Sequence, residues 1–329
     1  MNFLSILLKG IMKKKLSVIF PLFFLVISFI FISLGCATIE SLFEPILDPP
    51  GLADDEPSRG LFFKVEGGEN DLYLFGSVHM GSEDMYPLHD DIDEVFGQSD
   101  VLGMELDPEE MVDSEEMLMQ KGTFDDDRVM TDLVSDETFE EVVSIMELFG
   151  LSREEVEQFK PWFAGVMLEP LPELRAGYSP ELGIENYFME RANDDMEILG
   201  LETPSDQIEV FERLSDESQV VYLEGVLQVI DSGVVPLDNT ISFWKEGDVE
   251  FFAELRRENI EGAETESLRE FQIALLDERD EQMSLEIERL LEDDTGRTYF
   301  IVVGALHLAG ENSIPDFLEE SGYEILEMY

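Results

Sequence analysis

Basic residues are scarce in this chain. Its 329 residues hold 20 Lys and Arg against 76 Asp and Glu, a formal net charge of -56 at pH 7. That balance argues against a nucleic-acid partner, because phosphate binding needs clustered cations. Cysteine is rarer still. The single residue, Cys36, rules out an intramolecular disulfide and a Cys-rich zinc site. His79, His89 and His307 are the only three histidines, so any imidazole chemistry must run through them. Apolar residues, by contrast, are plentiful: 44% hydrophobic and 10% aromatic is enough for a buried core and excludes wholesale disorder.

Lys13, Lys14 and Lys15 precede a charge-free apolar run from Leu16 to Leu34, and Gly35-Cys36 follows. A basic start, an apolar stretch and a small residue before a cut describe a signal peptide over residues 1–35. A cysteine directly after the cut fits a bacterial lipoprotein, acylated on the thiol and anchored on the periplasmic or cell-surface side of a membrane. Ser33 stands where such signals favour Leu. Two other readings remain: the run is long enough for an uncleaved membrane helix, and a free cysteine needs no function. Met12 offers a second start. Residues 36–58, with four prolines among acids and little periodicity, read as a tether, so the folded domain is expected over residues 59–329.

Removing residues 1–35 takes away four lysines and no acid, leaving 16 bases against 76 acids. Like charges at this density repel, and salt shortens the screening length from about 8 Å at physiological strength to about 3 Å at 1 M. The composition suits a halophilic or salt-tolerant source. An acidic surface for divalent cations or a basic partner is the competing reading.

Apolar runs at Leu61–Val65, Leu72–Phe75, Val101–Leu106, Glu197–Leu201, Thr298–Val303 and Tyr323–Leu326 predict strands. Helical periodicity predicts helices over Asp90–Phe96, Asp216–Ile230, Phe251–Ile260, Glu264–Leu291 and Ile314–Glu320. The strands gather towards the two ends of the chain. The expected fold is therefore α/β or α+β, with one central sheet built from N- and C-terminal segments and a large helical insertion over about 109–295.

His79 ends the run LYLFGSVH and His307 ends YFIVVGALH. Both are an apolar strand followed by G-x-x-H, with Gly76 and Gly304 as the glycines. Glycine lets the backbone turn as a strand ends, and the histidine then projects from the carboxyl end, where open α/β sheets place their ligands. Two imidazoles from distant segments at one edge suit a metal. The plainer reading is two loop histidines bonded to nearby carbonyls. His89 lacks this frame and reads as an exposed residue at a helix start. Glu105, embedded in the apolar strand VLGMEL, is costly to bury unless paired or metal-bound, or else reaches solvent at the strand end. Arg279 falls near the middle of an apolar stripe made by Leu268, Phe271, Leu275, Leu276, Met283, Ile287 and Leu290. A guanidinium there needs an anionic partner, structural or functional.

Taken in order, LYLFGSVH, VLGMELD, ILGLETPSDQIEVF, FWKEGD, LLDERDEQM and FIVVGALHLAGENSIPDFLEESGYEI resemble the TraB/PrgY/GumN family, which includes the Tiki metalloproteases. The resemblance runs from about Leu61 to Met328. It implies that His79, Glu105 and His307 are metal-site residues and that Arg279 lies close by. It further implies a divalent metal, with Mn or Co favoured and Zn possible, and a peptide or protein substrate. Glu105 is then a ligand or a general base, and Arg279 pairs with it or stabilises the oxyanion. Two departures touch substrate recognition and catalytic competence: Arg279-Asp280 where the family usually has Arg-Asn, and Gly183-Ile-Glu185 where it has Gly-x-Asp. Two functions follow, a surface-anchored metal-dependent peptidase or a non-catalytic lipoprotein that binds and restrains a peptide signal.

Overall fold

The structure, a computed structural model, describes residues 56–263 and 265–329. The apolar run Leu16–Leu34, Cys36 and most of the tether lie outside the described residues. Within them one sheet has the strands β1 (Leu61–Glu66), β2 (Asp71–Ser77), β3 (Val101–Leu106), β4 (Glu197–Glu202), β5 (Thr298–Gly304) and β6 (Glu324–Glu327). Their order across the sheet is β4-β3-β5-β2-β1-β6. β1 is antiparallel to β2 and to β6, whereas β2, β5, β3 and β4 run parallel. The protein is thus a mixed α/β fold whose sheet joins both ends of the chain. The unbroken apolar runs of β3 and β5 suit parallel strands covered on both faces, and β3 is buried along its whole length.

Helices α1 (Asp90–Gln98) and α2 (Pro108–Gly122) flank β3. Between β3 and β4 follow α3 (Asp136–Met146), α4 (Arg153–Val156), α5 (Pro161–Leu168), α6 (Leu171–Ala176) and α7 (Ile184–Met189). Between β4 and β5 come α8 (Pro204–Glu212), α9 (Asp216–Ser232), α10 (Leu237–Glu246), α11 (Val249–Glu261), α12 (Glu266–Leu275) and α13 (Asp277–Glu292). Helix α14 (Ile314–Glu320) precedes β6. Local chemistry fixes several starts. His89 caps α1, accepting from Asp91 N–H, and its side chain is 38% exposed. Asp107 caps α2 ahead of Pro108, and Thr203 with Asp206 forms a capping box at α8. Ser58, assigned to the tether by sequence, is packed into the domain: its N–H donates to Pro87 O at 3.0 Å.

One expectation is corrected. The helix over Glu264–Leu291 is two helices, broken at Leu276, whose φ of -109° and ψ of -76° depart from regular helix values. The stripe that seemed continuous serves two different cores. Leu268, Phe271 and Leu275 join the helical cluster around Trp162, Phe211 and Tyr222. Leu276, Met283, Ile287 and Leu290 join the sheet cluster around Phe75, Phe188 and Phe300. The break is what lets one segment feed both, and it places Arg279 in the first turn of α13.

Candidate active site

The register of the parallel strands explains why the two G-x-x-H motifs meet. β2 and β5 are neighbours, with Gly76 opposite Val303 and Ser77 opposite Gly304. Both chains therefore leave the sheet at the same edge, and their histidines follow within three residues. On the other side of β5, β3 pairs Met104 with Val302, which brings Glu105 level with Val303, one residue before Gly304. β4 continues the row, Glu202 standing opposite Leu106. All four carboxyl ends thus face one site.

Space is tight at Gly304. A Cβ on it would lie 3.3 Å from Glu105 Oε1 and 3.3 Å from His307 Cδ2. Its N–H donates to Glu105 Oε1 at 2.7 Å. Gly76 turns its carbonyl to the buried Trp244, whose indole N–H donates at 2.7 Å. The FWKEGD segment therefore braces the end of β2.

Each histidine has a carboxylate on Nδ1. His79 Nδ1 lies 2.6 Å from Glu185 Oε1, and His307 Nδ1 lies 2.5 Å from Asp280 Oδ1. Asp280 is fully buried, and its other oxygen accepts from Arg256 at 2.5 Å. His307 Nδ1 thus faces a carboxylate, while Nε2 faces the site, 3.7 Å from Glu105 Oε1. Arg256, from α11, also donates to Leu306 O and Asn312 O at 2.8 Å and to Asp277 at 2.7 Å. It ties the turn bearing His307 to the start of α13.

Glu105 and Arg279 are brought together. An Arg279 Nη donates to Glu105 Oε2 at 2.7 Å, its Nε donates to Glu202 Oε2 at 2.9 Å, and its other Nη donates to Leu275 O at 3.1 Å. Gln207 adds a donation to Glu202 at 2.7 Å and a longer one to Glu105 at 3.4 Å. The guanidinium fork is therefore spread across two buried carboxylates. Burial would raise the Glu105 pKa, but His307, Arg279, His79 and the Gly304 N–H outweigh it and hold the carboxyl well below its usual range. Burial lowers the His79 pKa, yet Glu185 and Glu105 reverse this and raise it. Arg279 keeps its charge despite burial because Glu202 and Glu105 raise its pKa.

His79, Glu105, His307, Arg279, Gly76 and Gly304 thus share one edge of the sheet, His89 stands apart as a cap, and Cys36 lies outside the described residues. Sequence reasoning missed Glu185, Glu202, Gln207, Arg256 and Asp280. Glu185 and Asp280 stood in plain view as the departures from the family pattern; the structure sets both against the histidines.

A cavity of about 330 Å³ opens beside His79 and Glu105. The profile of the TraB/PrgY/gumN family matches residues 61–326, which takes in the sheet but for the last residue of β6, and the whole site. The chain belongs to the TraB/PrgY/gumN family. Two curated relatives named "Uncharacterized protein YbaP", from Escherichia coli K12 and Shigella flexneri, are each 24% identical over 259 residues, 76% of this chain and 89% of theirs. An uncharacterized protein of Treponema pallidum is 23% identical over 170 residues, 51% of each chain. No solved structure matches the chain.

Among the described residues no group of three or more His, Cys, Asp and Glu side chains has the geometry of a metal site as it stands. The chemistry of the donors nonetheless suits a divalent ion. Imidazoles oriented by a carboxylate on the far nitrogen are the usual metal-binding arrangement, and here both strand-end histidines have one.

Proposed function

We propose that this member of the family is a metal-dependent hydrolase, most specifically a peptidase, exported and held at a bacterial membrane through an acylated Cys36. The observation that carries the catalytic part is the meeting of two carboxylate-backed imidazoles and one buried, ionised carboxylate at the carboxyl edge of parallel strands, next to a cavity. His79, His307 and Glu105 would hold the ion; this mixed N and O set suits Mn²⁺, Co²⁺ or Zn²⁺, and the resemblance to the Tiki metalloproteases favours Mn²⁺ or Co²⁺. When bound, such an ion supplies Lewis-acid polarisation of a carbonyl and an acidified water.

The protein's own groups prepare that site. Asp280 orients the His307 ring through Nδ1, and Glu185 does the same for His79. Arg279 fixes Glu105 from one side while the Gly304 N–H fixes it from the other. Held from both sides, Glu105 would serve as a fixed anionic ligand of the ion, with the role of general base as the alternative. Arg279 acts through Glu105, since its fork is spread between Glu105 and Glu202.

Metal content by mass spectrometry and cleavage of a quenched peptide library with added Mn²⁺ test this reading. His79→Ala and His307→Ala should lose metal and turnover together. Arg279→Lys should keep the metal but lose about 10²-fold in rate, because an ammonium cannot span Glu105 and Glu202 as the planar fork does. Histidine variants with full metal occupancy and rate would place the chemistry elsewhere. Peptide binding with no cleavage under any metal would leave the tethered binding module in its place.

A further inference from the structure

The cavity beside His79 has a composition that the catalytic reading does not use. Resting on the reading that the ligand is a peptide, we infer that this cavity receives an uncharged apolar side chain next to the scissile bond and rejects an acidic one. At about 330 Å³ it sits at the small end of ligand pockets, roughly 300–1,000 Å³. That suits one side chain and its backbone better than a folded surface. Its apolar walls include Met104, Leu106, Pro108, Met111, Met189 and Val302, and Asn186 and Gln207 add uncharged polar groups. Met104, Leu106 and Val302 come from the sheet and are buried. Met111 from α2 and Met189 from α7 are half-buried and stand on the two helices that border the opening.

Thioether side chains are unbranched and polarizable, so they mould to different apolar shapes. Three of them in one small cavity select a class, with Leu, Met and Phe all accepted, in preference to a single residue. The charges lining the cavity point the same way. Glu105, Glu181 and Glu185 contribute to the lining, and no Lys or Arg does so among the described residues. An acidic side chain would lose its hydration, find no cation and meet these carboxylates. A lysine could lay its stem on the apolar wall and return its ammonium towards the exposed Glu181, so it is penalised less.

The test uses blocked, internally quenched peptides that differ at one position, carrying Leu, Met, Ser, Lys or Glu. Cleavage is read with Mn²⁺, and equilibrium binding of the same peptides is read by fluorescence anisotropy with a chelator present. Both readouts should rank Leu and Met at least about tenfold above Glu. Met189→Lys and Met111→Lys, on different helices, should each narrow that ratio to less than about threefold by supplying the missing cation. Thermal melts identify a variant that has failed to fold, and the other variant then decides. Equal handling of Leu and Glu peptides by the wild type overturns the inference, as does an unchanged ratio in the folded variants or no peptide binding at all. Ranked binding without turnover under any metal would remove the hydrolase and keep the pocket. Turnover without ranking would do the reverse.

Discussion

Asp280 has two oxygens and spends one on Arg256 and one on His307, in a place that no water reaches. Deleting it would leave the buried Arg256 guanidinium with Asp277 as its one carboxylate and release the imidazole at once. Breaking a buried pair by removing one partner costs about 3–5 kcal/mol. Asp280→Ala should therefore lower stability by about that much in urea unfolding, whereas Asp280→Asn, which still offers His307 an acceptor, should lose markedly less. Equal losses would show that only the charge on Arg256 matters and that His307 takes no support from this residue. Residues at this scale were unevenly legible. His79 and His307 could be found because histidine is so rare and both follow the same G-x-x-H frame. Glu202 was hidden among 76 acids, where being acidic carries no information, and Glu185 and Asp280 showed only as departures from a family pattern, with no sign of what they face. Only the fold tells which carboxylates are buried and what they face.

Helix α7 meets the end of β2 through a glycine. A Cβ on Gly183 would sit 2.1 Å from His79 O, and the contact is with backbone, so no side chain can swing aside to relieve it. The φ of -67° at Gly183 suits any residue, so space is the whole constraint. Gly183→Ala should push α7 off the strand end, costing about 1–3 kcal/mol as overpacking does. It should also move Glu185 away from His79. Urea unfolding and peptidase rate measured on the same variant check both effects, and an unchanged rate would separate α7 from the site. Among the elements, all six strands were legible because apolar runs bounded by turns are a local signal. Their parallel adjacency was not, since it depends on contacts such as Gly76 with Val303, more than two hundred residues apart in sequence. The break at Leu276 was hidden by a stripe that kept its period across it. The signal that could have shown it was the acidic cluster Asp277, Glu278 and Asp280, which marks the first turn of a new helix.

Over the whole molecule the surplus of negative charge opposes compaction, and part of it is buried. Glu169 at the end of α5 and Glu173 in α6 are both buried in the helical layer. Glu169 accepts from Tyr222 O–H at 3.0 Å, while Glu173 Oε2 has no hydrogen-bond partner among the described residues. Burial pushes the Glu173 carboxyl from an ordinary 4.5 up to about 7, partly offset by its backbone hydrogen bond and reinforced by Asp238. Because the folded pKa lies above the unfolded one, the folded state holds the proton more tightly in that window. Stability therefore falls as pH rises from about 4.5 to about 7 and levels off above. At about 1.4 kcal/mol per pKa unit the loss is on the order of 3 kcal/mol. Glu173→Gln removes the titration but keeps the shape. The difference between variant and wild type in urea unfolding should therefore be small near pH 4 and grow in favour of Gln towards pH 8. Taking that difference cancels the repulsion among the surface acids, which both proteins share. Repeating it near 1 M salt, where screening reaches about 3 Å, should leave it nearly unchanged, because a buried group is screened little. A difference that stays constant with pH would mean that Glu173 reaches solvent after all, and one that collapses in salt would assign it to the surface field.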